Sequence, residues 1–256
     1  GYRDPKPLIK VNGKRIIEYI LDMFSDDDEI FFICNDLHLQ NTKMKNILKS
    51  LKPKAQIMSV VPHKKGPIHT VLAAGDFLAD EDEVMICYCD NPYLWNNKDF
   101  LTHVRINNLD GCILTHTGFH PHTLSSTKMA FLKVDDNLLV EIKEKECYTD
   151  DPISEHASTG AYYFRKGKYI KKYFPQMVER NIHYNGEYYV TLSYNLLVED
   201  GLRVGFYDTD YVTVFGTPQE VENFEAWTTI IEGTQVRSVK DLIKCYKYWR
   251  SYHENN

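Results

Sequence analysis

The sequence predicts an α/β fold, a mostly parallel sheet with helices on both faces, and two patterns carry that prediction. The first is an alternation of short apolar runs, at 29–34, 55–61 and 83–89, with segments of helical periodicity, and the runs 29–34 and 83–89 are predicted to be buried strands. Strands and helices alternating at this spacing are typical of a doubly wound, Rossmann-like sheet. The second is a change of rhythm after about residue 110, where strand-like runs follow one another without long helices. That change predicts a mixed-sheet lid over the first half.

The elements can be assigned in chain order. In the first half, helices are predicted from Ile16 to Phe24, over 42–51 and over 67–78, where Pro67 stands in a first turn that needs no N–H donor. The second half is predicted to hold strands 111–117, 128–134, 137–145 and 158–164, helices about 168–181 and 188–201, strands 202–208 and 211–216, and helices 217–227 and 238–253.

The composition limits the classes of function. Hydrophobic residues make up 43% and charged residues 26% of 256, so a folded globular chain is expected. The net charge is −6, which argues against a protein that mainly binds nucleic acid. No apolar run approaches the ~18–20 residues that span a bilayer, and the first residues do not form a signal peptide, so no membrane partner is expected. Six scattered cysteines without a CxxC pair predict reduced thiols in a cytoplasmic protein.

Motifs in a fixed order run along the whole chain. Residues 5–24 are PKPLIKVNGKRIIEYILDMF, and later segments are GPIHTVLAA, CDNPY, GFHPH, VEIKEK, EHASTGAYYF, NGEYYVTLSYN and FGTPQE. Together they resemble the nucleotidyltransferases that join a nucleoside triphosphate to a phosphorylated metabolite, in the sugar-phosphate and capsule-associated branch. The resemblance implies one domain, 1–256, with a nucleotide-binding half at 1–110 and an acceptor-binding half at 111–256. It also implies Mg²⁺-dependent transfer with release of pyrophosphate, with Mn²⁺ as an alternative ion.

The opening residues, GYRDPKPLIKVNGK, resemble the second half of a phosphate-binding loop. In the family a strand and a glycine-rich loop come before the Gly-Tyr pair, and backbone N–H groups of such a loop cradle a triphosphate. We therefore expect an upstream strand and loop in the native protein. Were Gly1 the true terminus, a non-catalytic nucleotide-binding paralogue would be the alternative.

Transfer between two anionic substrates calls for cations more than for covalent chemistry. Lys6, in the opening loop, is predicted to bind triphosphate oxygens, and Arg3 is a candidate beside it. Asp90 follows an apolar strand, where ligands of parallel sheets bind, and the resemblance assigns it to Mg²⁺. The resemblance also implies that Gly66 and Thr70, at a strand-to-helix turn, form the base pocket.

A second metal ligand is not fixed by the sequence. Related sugar nucleotidyltransferases carry an aspartate just before a Gly-Thr pair, whereas valine and phenylalanine stand before Gly216 in this chain. Glu187 and Asp210 are the oxygen donors that we put forward, with Glu187 favoured. Mg²⁺ can also keep mostly water and phosphate ligands.

The acceptor side is implied by the resemblance. Glu144 and Lys145 match a pair that contacts the acceptor, and Lys145 would neutralise the acceptor phosphate, which places it with Lys6 and Asp90 in catalysis. Thr159 and Gly160 are expected to line the acceptor pocket, and Glu187 is expected near it.

Three histidines, His116, His120 and His122, lie close together in the sequence. Their spacing could serve Zn²⁺, but no Cys or acid completes a convincing site, so acceptor recognition by His120 is favoured.

The identities of the substrates stay open at this stage. CTP is favoured as donor over UTP or dTTP, and the acceptor is a sugar 1-phosphate or an amino-acid phosphate. The rival class is a glycosyltransferase of similar sheet topology, which often uses a D-x-D motif where this chain has Tyr88-Cys89-Asp90. A homodimer is a further option, because the 238–253 helix with Trp249 could cover a partner subunit.

Overall fold

The structure is a computed structural model, and it describes residues 2, 4–118, 120 and 129–232. The predicted helix at 238–253 lies outside the described residues, as do Arg3 and His122.

Strands and helices alternate through the first part of the chain, as predicted. The elements there are a 3₁₀ turn at Lys6–Leu8, β1 (Lys10–Val11), β2 (Lys14–Arg15), α1 (Ile16–Leu21), β3 (Phe31–Asn35), α2 (Asp36–Asn41), α3 (Met44–Leu51), β4 (Gln56–Val60), α4 (Pro67–Ala73), β5 (Val84–Cys87), β6 (Tyr93–Leu94) and α5 (Asn97–Ile106). Helix α2 was not predicted, and it begins where the Asn35 side chain accepts a hydrogen bond from the Leu37 amide at 2.9 Å.

The second part has longer strands before its helices. Its elements are β7 (Gly111–His116), β8 (Ala130–Asp135), β9 (Leu138–Glu144), β10 (His156–Phe164), α6 (Gly167–Glu179), α7 (Val190–Glu199), β11 (Val204–Asp208), β12 (Tyr211–Val212) and α8 (Pro218–Glu232). No helix of the described residues is long and apolar enough to cross a membrane.

The main sheet has six strands in the order β5-β10-β7-β11-β9-β8, and β3 and β4 form a separate parallel pair. Strands β7 and β11 are also parallel, while the other pairings of the main sheet are antiparallel. The predicted α/β fold is therefore confirmed. The described sheet is less parallel than predicted, because β10 returns from the lid and runs antiparallel between β5 and β7.

Strand β10 bends in the middle, at a register shift against β7 between Ser158 and Tyr162. Gly160 lies in this stretch with φ +85°, a conformation that glycine adopts without strain. Before the shift β10 also pairs with β8, and after it with β5. One strand thus connects the lid to the first half of the chain.

The core has two layers, one on each face of the main sheet, because alternate strand residues point to opposite faces. In β7, Ile113 packs with α6 and α7, whereas Leu114 packs with α1 and α5.

A third cluster joins the beginning of the described chain to its last helix. Its buried members are Ile9, Val11, Ile16, Tyr19, Tyr211, Phe215, Val221 and Phe224.

Two predictions about the strands and helices need correction. The apolar runs 29–34 and 83–89 were expected to be fully buried, but all four residues of β5 and most of β3 are half-buried. The reason is that, among the described strands, β5 pairs only with β10 and β3 only with β4. The helix predicted over 67–78 ends at Ala73, shortly before Gly75, which has φ +89°.

Candidate active site

Lys6 and Asp90, both predicted site residues, meet in the structure. Lys6 Nζ lies 2.8 Å from Asp90 Oδ2, and the side chains are 42% and 18% exposed. Pro5 and the 3₁₀ turn bring Lys6 to this position, and Asp90 lies in the turn beyond β5. Burial acts to lower the pKa of Lys6, but the charge and hydrogen bond of Asp90 outweigh it and hold the pKa above its usual value. Lys6 is therefore protonated and partly exposed, and it can bind an anionic ligand.

The loop before α8 forms the other wall of this site. The Phe215 amide donates to the Asp90 carbonyl at 2.8 Å, which brings Gly216 next to the Asp90 side chain. A Cβ added to Gly216 would lie 3.8 Å from Asp90 Oδ2 and 3.1 Å from Glu220 Oε2. Burial lowers the pKa of Lys6, and the charge of Glu220 adds a smaller raising effect to the larger one of Asp90. Sequence reasoning missed Glu220, whose only signal was its place in FGTPQE.

The Asp90 site fits a hard divalent cation. Its carboxylate supplies the type of oxygen ligand that Mg²⁺ prefers. The positively charged Lys6 ammonium already contacts this oxygen, so the position accommodates a cation. Glycine at 216 leaves space nearby that a Cβ would fill. No group of three or more His, Cys, Asp or Glu side chains placed to hold a metal occurs in the described part of the chain. This suits Mg²⁺, which is commonly bound by one or two carboxylates together with water and substrate phosphates.

The proposed second ligands lie in different surroundings. The Asp210 amide donates to the Leu94 carbonyl at 3.1 Å, four residues beyond Asp90 in the chain. The Glu187 carboxylate accepts a hydrogen bond from the Tyr189 hydroxyl at 2.7 Å. Neither contact brings these carboxylates to Asp90, and their role as metal ligands stays a prediction.

The turn before α4 packs against the segment that carries Glu187. Gly66 has φ +86°, and a Cβ there would lie 2.7 Å from the Tyr188 amide nitrogen. Two backbone hydrogen bonds fix this contact, from Tyr188 N to Lys65 O at 2.9 Å and from Ile68 N to Tyr188 O at 3.1 Å. The Thr70 hydroxyl lies 3.4 Å from the Gly66 carbonyl, inside its own helix. The base-pocket prediction thus falls on a rigid turn that only glycine permits.

The residues predicted to bind the acceptor lie at and near the end of β9. Glu144 is 8% exposed and accepts a hydrogen bond from the Thr191 hydroxyl at 2.7 Å. Lys145 Nζ donates to the Tyr189 hydroxyl at 2.5 Å, and that hydroxyl donates to Glu187. Burial raises the pKa of Glu144 to about 7, against the lowering effects of Thr191 and Lys145. The structure joins Lys145 to Glu187 through Tyr189, which the sequence did not single out, while Glu144, next to Lys145 in the chain, bonds to Thr191.

The bend in β10 connects the two sides of the site. A Cβ on Gly160 would lie 2.8 Å from Asn91 Nδ2 and 3.0 Å from Tyr88 Cδ2, so glycine allows the Asp90 turn to approach the sheet. Thr159 is fully buried and donates to the Leu114 carbonyl at 3.1 Å. The Thr159 hydroxyl therefore bonds β10 to β7, whereas Gly160 leaves room for the turn that carries Asp90.

The histidine region is more buried than expected. His120 is 1% exposed, its Nε2 lies 3.2 Å from the Thr117 carbonyl, and its ring packs on that of His116 at 4.6 Å. Close by, His156 Nδ1 lies 3.0 Å from Asp208 Oδ1, which also accepts from the Thr115 hydroxyl at 2.7 Å. This pairing joins the beginning of β10 to the end of β11, and no motif in the sequence indicated it.

The sequence of the chain matches the model of a known protein family. Residues 1–134, more than half of the chain, match the family model described as the MobA-like NTP transferase domain. The chain belongs to the MobA-like NTP transferase family. The family resemblance predicted from the motifs is thereby confirmed.

Relatives and solved structures agree with this NTP transferase assignment. The bifunctional protein GlmU of Alkaliphilus metalliredigens is 21% identical over 94% of this chain and 48% of its own length, so the chain spans about half the length of this curated relative. A nucleoside-diphosphate-sugar pyrophosphorylase from Vibrio cholerae RC9 has a TM-score of 0.69 at 18% identity, covering 88% of this chain and 93% of that one. The inositol-1-phosphate CTP transferase from T. maritima has a TM-score of 0.61 at 13% identity, covering 91% and 89%. At these identities the two structures establish the fold.

Proposed function

We propose that the chain is a Mg²⁺-dependent nucleotidyltransferase that joins a nucleoside triphosphate to a phosphorylated small molecule and releases pyrophosphate. The observation that supports it most directly is the Lys6–Asp90 pair, 2.8 Å apart beyond the end of β5, in a member of an NTP transferase family. A cation and a carboxylate at the carboxyl end of a strand are what binding of a metal-complexed triphosphate requires.

The proposed reaction forms one phosphoanhydride bond and breaks another. An oxygen of the acceptor phosphate attacks the α-phosphorus, and the bond from that phosphorus to the oxygen bridging it to the β-phosphate breaks. Pyrophosphate leaves with that oxygen and its electron pair. Lys6 binds the triphosphate oxygens on which charge accumulates, and Lys145 binds the acceptor phosphate. Mg²⁺, when held by Asp90, supplies further neutralisation of the phosphate charge.

The acceptor site is proposed to lie around Glu144, Lys145 and Glu187. Lys145 has φ +59°, and its amide donates to the Met129 carbonyl at 2.9 Å, so the backbone sets the direction of the side chain. Two carboxylates beside one lysine suit an acceptor that carries hydroxyl or amino groups in addition to its phosphate. Both a sugar 1-phosphate and an amino-acid phosphate meet that description.

CTP is the donor that we propose, with UTP and dTTP as alternatives to be screened. The support is the capsule-like motifs of the sequence. The product would be an activated precursor for a capsule or another surface polysaccharide.

A pyrophosphate-release screen tests the proposal. CTP, UTP, dTTP and ATP are each combined with a panel of phosphorylated sugars and amino acids in the presence of Mg²⁺. We expect release with one donor and acceptor class, loss of release in Asp90→Asn, and a fall of about 10²–10³-fold in Lys6→Ala.

Three other outcomes would contradict the proposal. Release of nucleoside diphosphate from an added nucleotide sugar, with no pyrophosphate released from any triphosphate, would indicate a glycosyltransferase. Nucleotide binding without pyrophosphate release from any pair would indicate a non-catalytic paralogue. Full activity of Asp90→Asn would remove that carboxylate from the site.

A further inference from the structure

Glu220 approaches the Asp90 site from the first turn of α8. Glu220 Oε2 and Asp90 Oδ2 lie 3.1 and 3.8 Å from one point, the place that a Cβ on Gly216 would occupy. The two oxygens are therefore less than about 7 Å apart. The space between them is open only because residue 216 has no side chain.

The position of Glu220 is fixed by its own helix. The Thr217 amide donates to Glu220 Oε2 at 2.8 Å, and the Glu220 amide lies 3.3 Å from the Thr217 hydroxyl, a reciprocal capping box. The neighbouring Phe215 amide is bonded to the Asp90 carbonyl. Backbone contacts therefore set the separation of the two carboxylates.

The upper limit on that separation lies within the reach of a metal-bound water, and Glu220 Oε2 already accepts the hydrogen bond of the Thr217 amide, which favours contact through a water over direct ligation. With bonds of about 2.1 Å, two oxygens on one Mg²⁺ are at most about 4.2 Å apart, and a metal-bound water extends the reach by about 2.7 Å. We infer that Glu220 is the outer carboxylate of the divalent-cation site, accepting a hydrogen bond from a water on the ion that Asp90 ligates. The inference rests on the proposed function for the identity of the ion.

Lys6 is placed to compete with that ion. Its ammonium lies 2.8 Å from Asp90 Oδ2, the same oxygen that faces Glu220 across Gly216. An ion that takes this oxygen displaces the ammonium, which is then free to bind triphosphate. Loss of Lys6 should therefore strengthen binding of the metal alone, whereas loss of the Glu220 charge should weaken it.

The test is binding of Mn²⁺ alone, measured by electron paramagnetic resonance of the free ion in the absence of nucleotide. Glu220→Gln keeps an oxygen for the capping box but loses the charge, and we expect its Kd to rise about 10-fold or more, as for other outer partners of metal ligands. Glu222→Gln makes the same change on an exposed side chain of α8 and should stay within about twofold of wild type. Lys6→Ala should lower the Kd, and Gly216→Ala should raise it.

The outcomes separate this inference from the proposed function. Equal Kd values for Glu220→Gln and Glu222→Gln would overturn the inference and leave the pyrophosphate-release result untouched. Mn²⁺ binding that is absent from wild type without nucleotide would overturn the inference, and its absence with nucleotide present as well would overturn the metal requirement. Thermal unfolding of Glu220→Gln within about 2 °C of wild type would show that the cap is intact and that a weaker Kd reports on the ion.

Discussion

Glu144→Gln is the substitution for which the structure predicts a defined dependence on pH. The carboxyl is 8% exposed at the end of β9, and burial is the largest influence on its pKa, which rises from 4.5 to about 7. Thr191 donates to Oε2 at 2.7 Å and moderates the rise, as does the charge of Lys145. A glutamine at this position keeps an oxygen for Thr191 but never carries a charge.

The sign and size of the effect follow from proton linkage. Below pH 4.5 the carboxyl is protonated in both the folded and the unfolded chain, so its burial carries no ionic penalty. Between pH 4.5 and about 7 the folded chain retains a proton that the unfolded chain has lost, and the free energy of unfolding falls as pH rises. At about 1.4 kcal/mol for each pH unit, the interval amounts to about 3 kcal/mol. Glutamine removes this loss.

Urea denaturation of the two proteins between pH 4.5 and 8.5 measures the effect. The free energy of unfolding of Glu144→Gln, relative to wild type, should increase by about 3 kcal/mol from the acid to the alkaline end. Glu141→Gln, on an exposed side chain of the same strand, is the matched control and should give a flat difference. A flat difference for Glu144→Gln as well would refute the assignment of a raised pKa to this buried carboxyl.

Three further substitutions test other contacts. Gly66→Ala should lose roughly 1–3 kcal/mol more stability than Gly75→Ala. Both glycines have a positive φ, +86° at Gly66 and +89° at Gly75, but only a Cβ at Gly66 would meet backbone atoms, the nearest at 2.7 Å. Equal losses of stability in paired denaturation curves would contradict this contact. Asp208→Asn should destabilise the fold at neutral pH: burial, the largest single influence, raises the pKa of Asp208, but the hydrogen bonds from His156 and Thr115 and the charge of His156 together keep it below its usual 3.8. The deficit should shrink as pH falls through that lowered pKa, and a deficit that is constant from pH 7 to 3 would count against the pairing. Tyr189→Phe should cost roughly 1 kcal/mol through loss of its hydroxyl bonds, and an unchanged urea midpoint would show that they contribute nothing.

The sequence predicted the parts of the site that belong to local motifs. Lys6 and Asp90 were each placed by a short segment, a Pro-bounded loop and the end of an apolar strand, and the structure brings their charges to 2.8 Å. The helix starts at Pro67 and Pro218 were likewise predicted, because a proline without an N–H suits the first turn.

The sequence did not predict contacts made by distant, irregular segments. Glu220 looks like an ordinary capping residue, and only the pairing of β12 with β6, two residues each, brings its loop to Asp90. The Tyr189 bridge depends on the left-handed backbone of Lys145, which no local pattern specifies. Burial of β3 and β5 was overestimated because hydrophobicity reports on a strand's own residues and not on how many neighbours it pairs with.

The incomplete pairing of β3 and β5 defines where a further strand can join the sheets. Each presents one row of amide and carbonyl groups that no other described strand satisfies, beside apolar side chains that are only half covered. Such rows are templates for pairing with another extended segment, whether it belongs to the same polypeptide or to a second molecule. A segment that docked along either row would satisfy these backbone groups and cover the apolar side chains beside them.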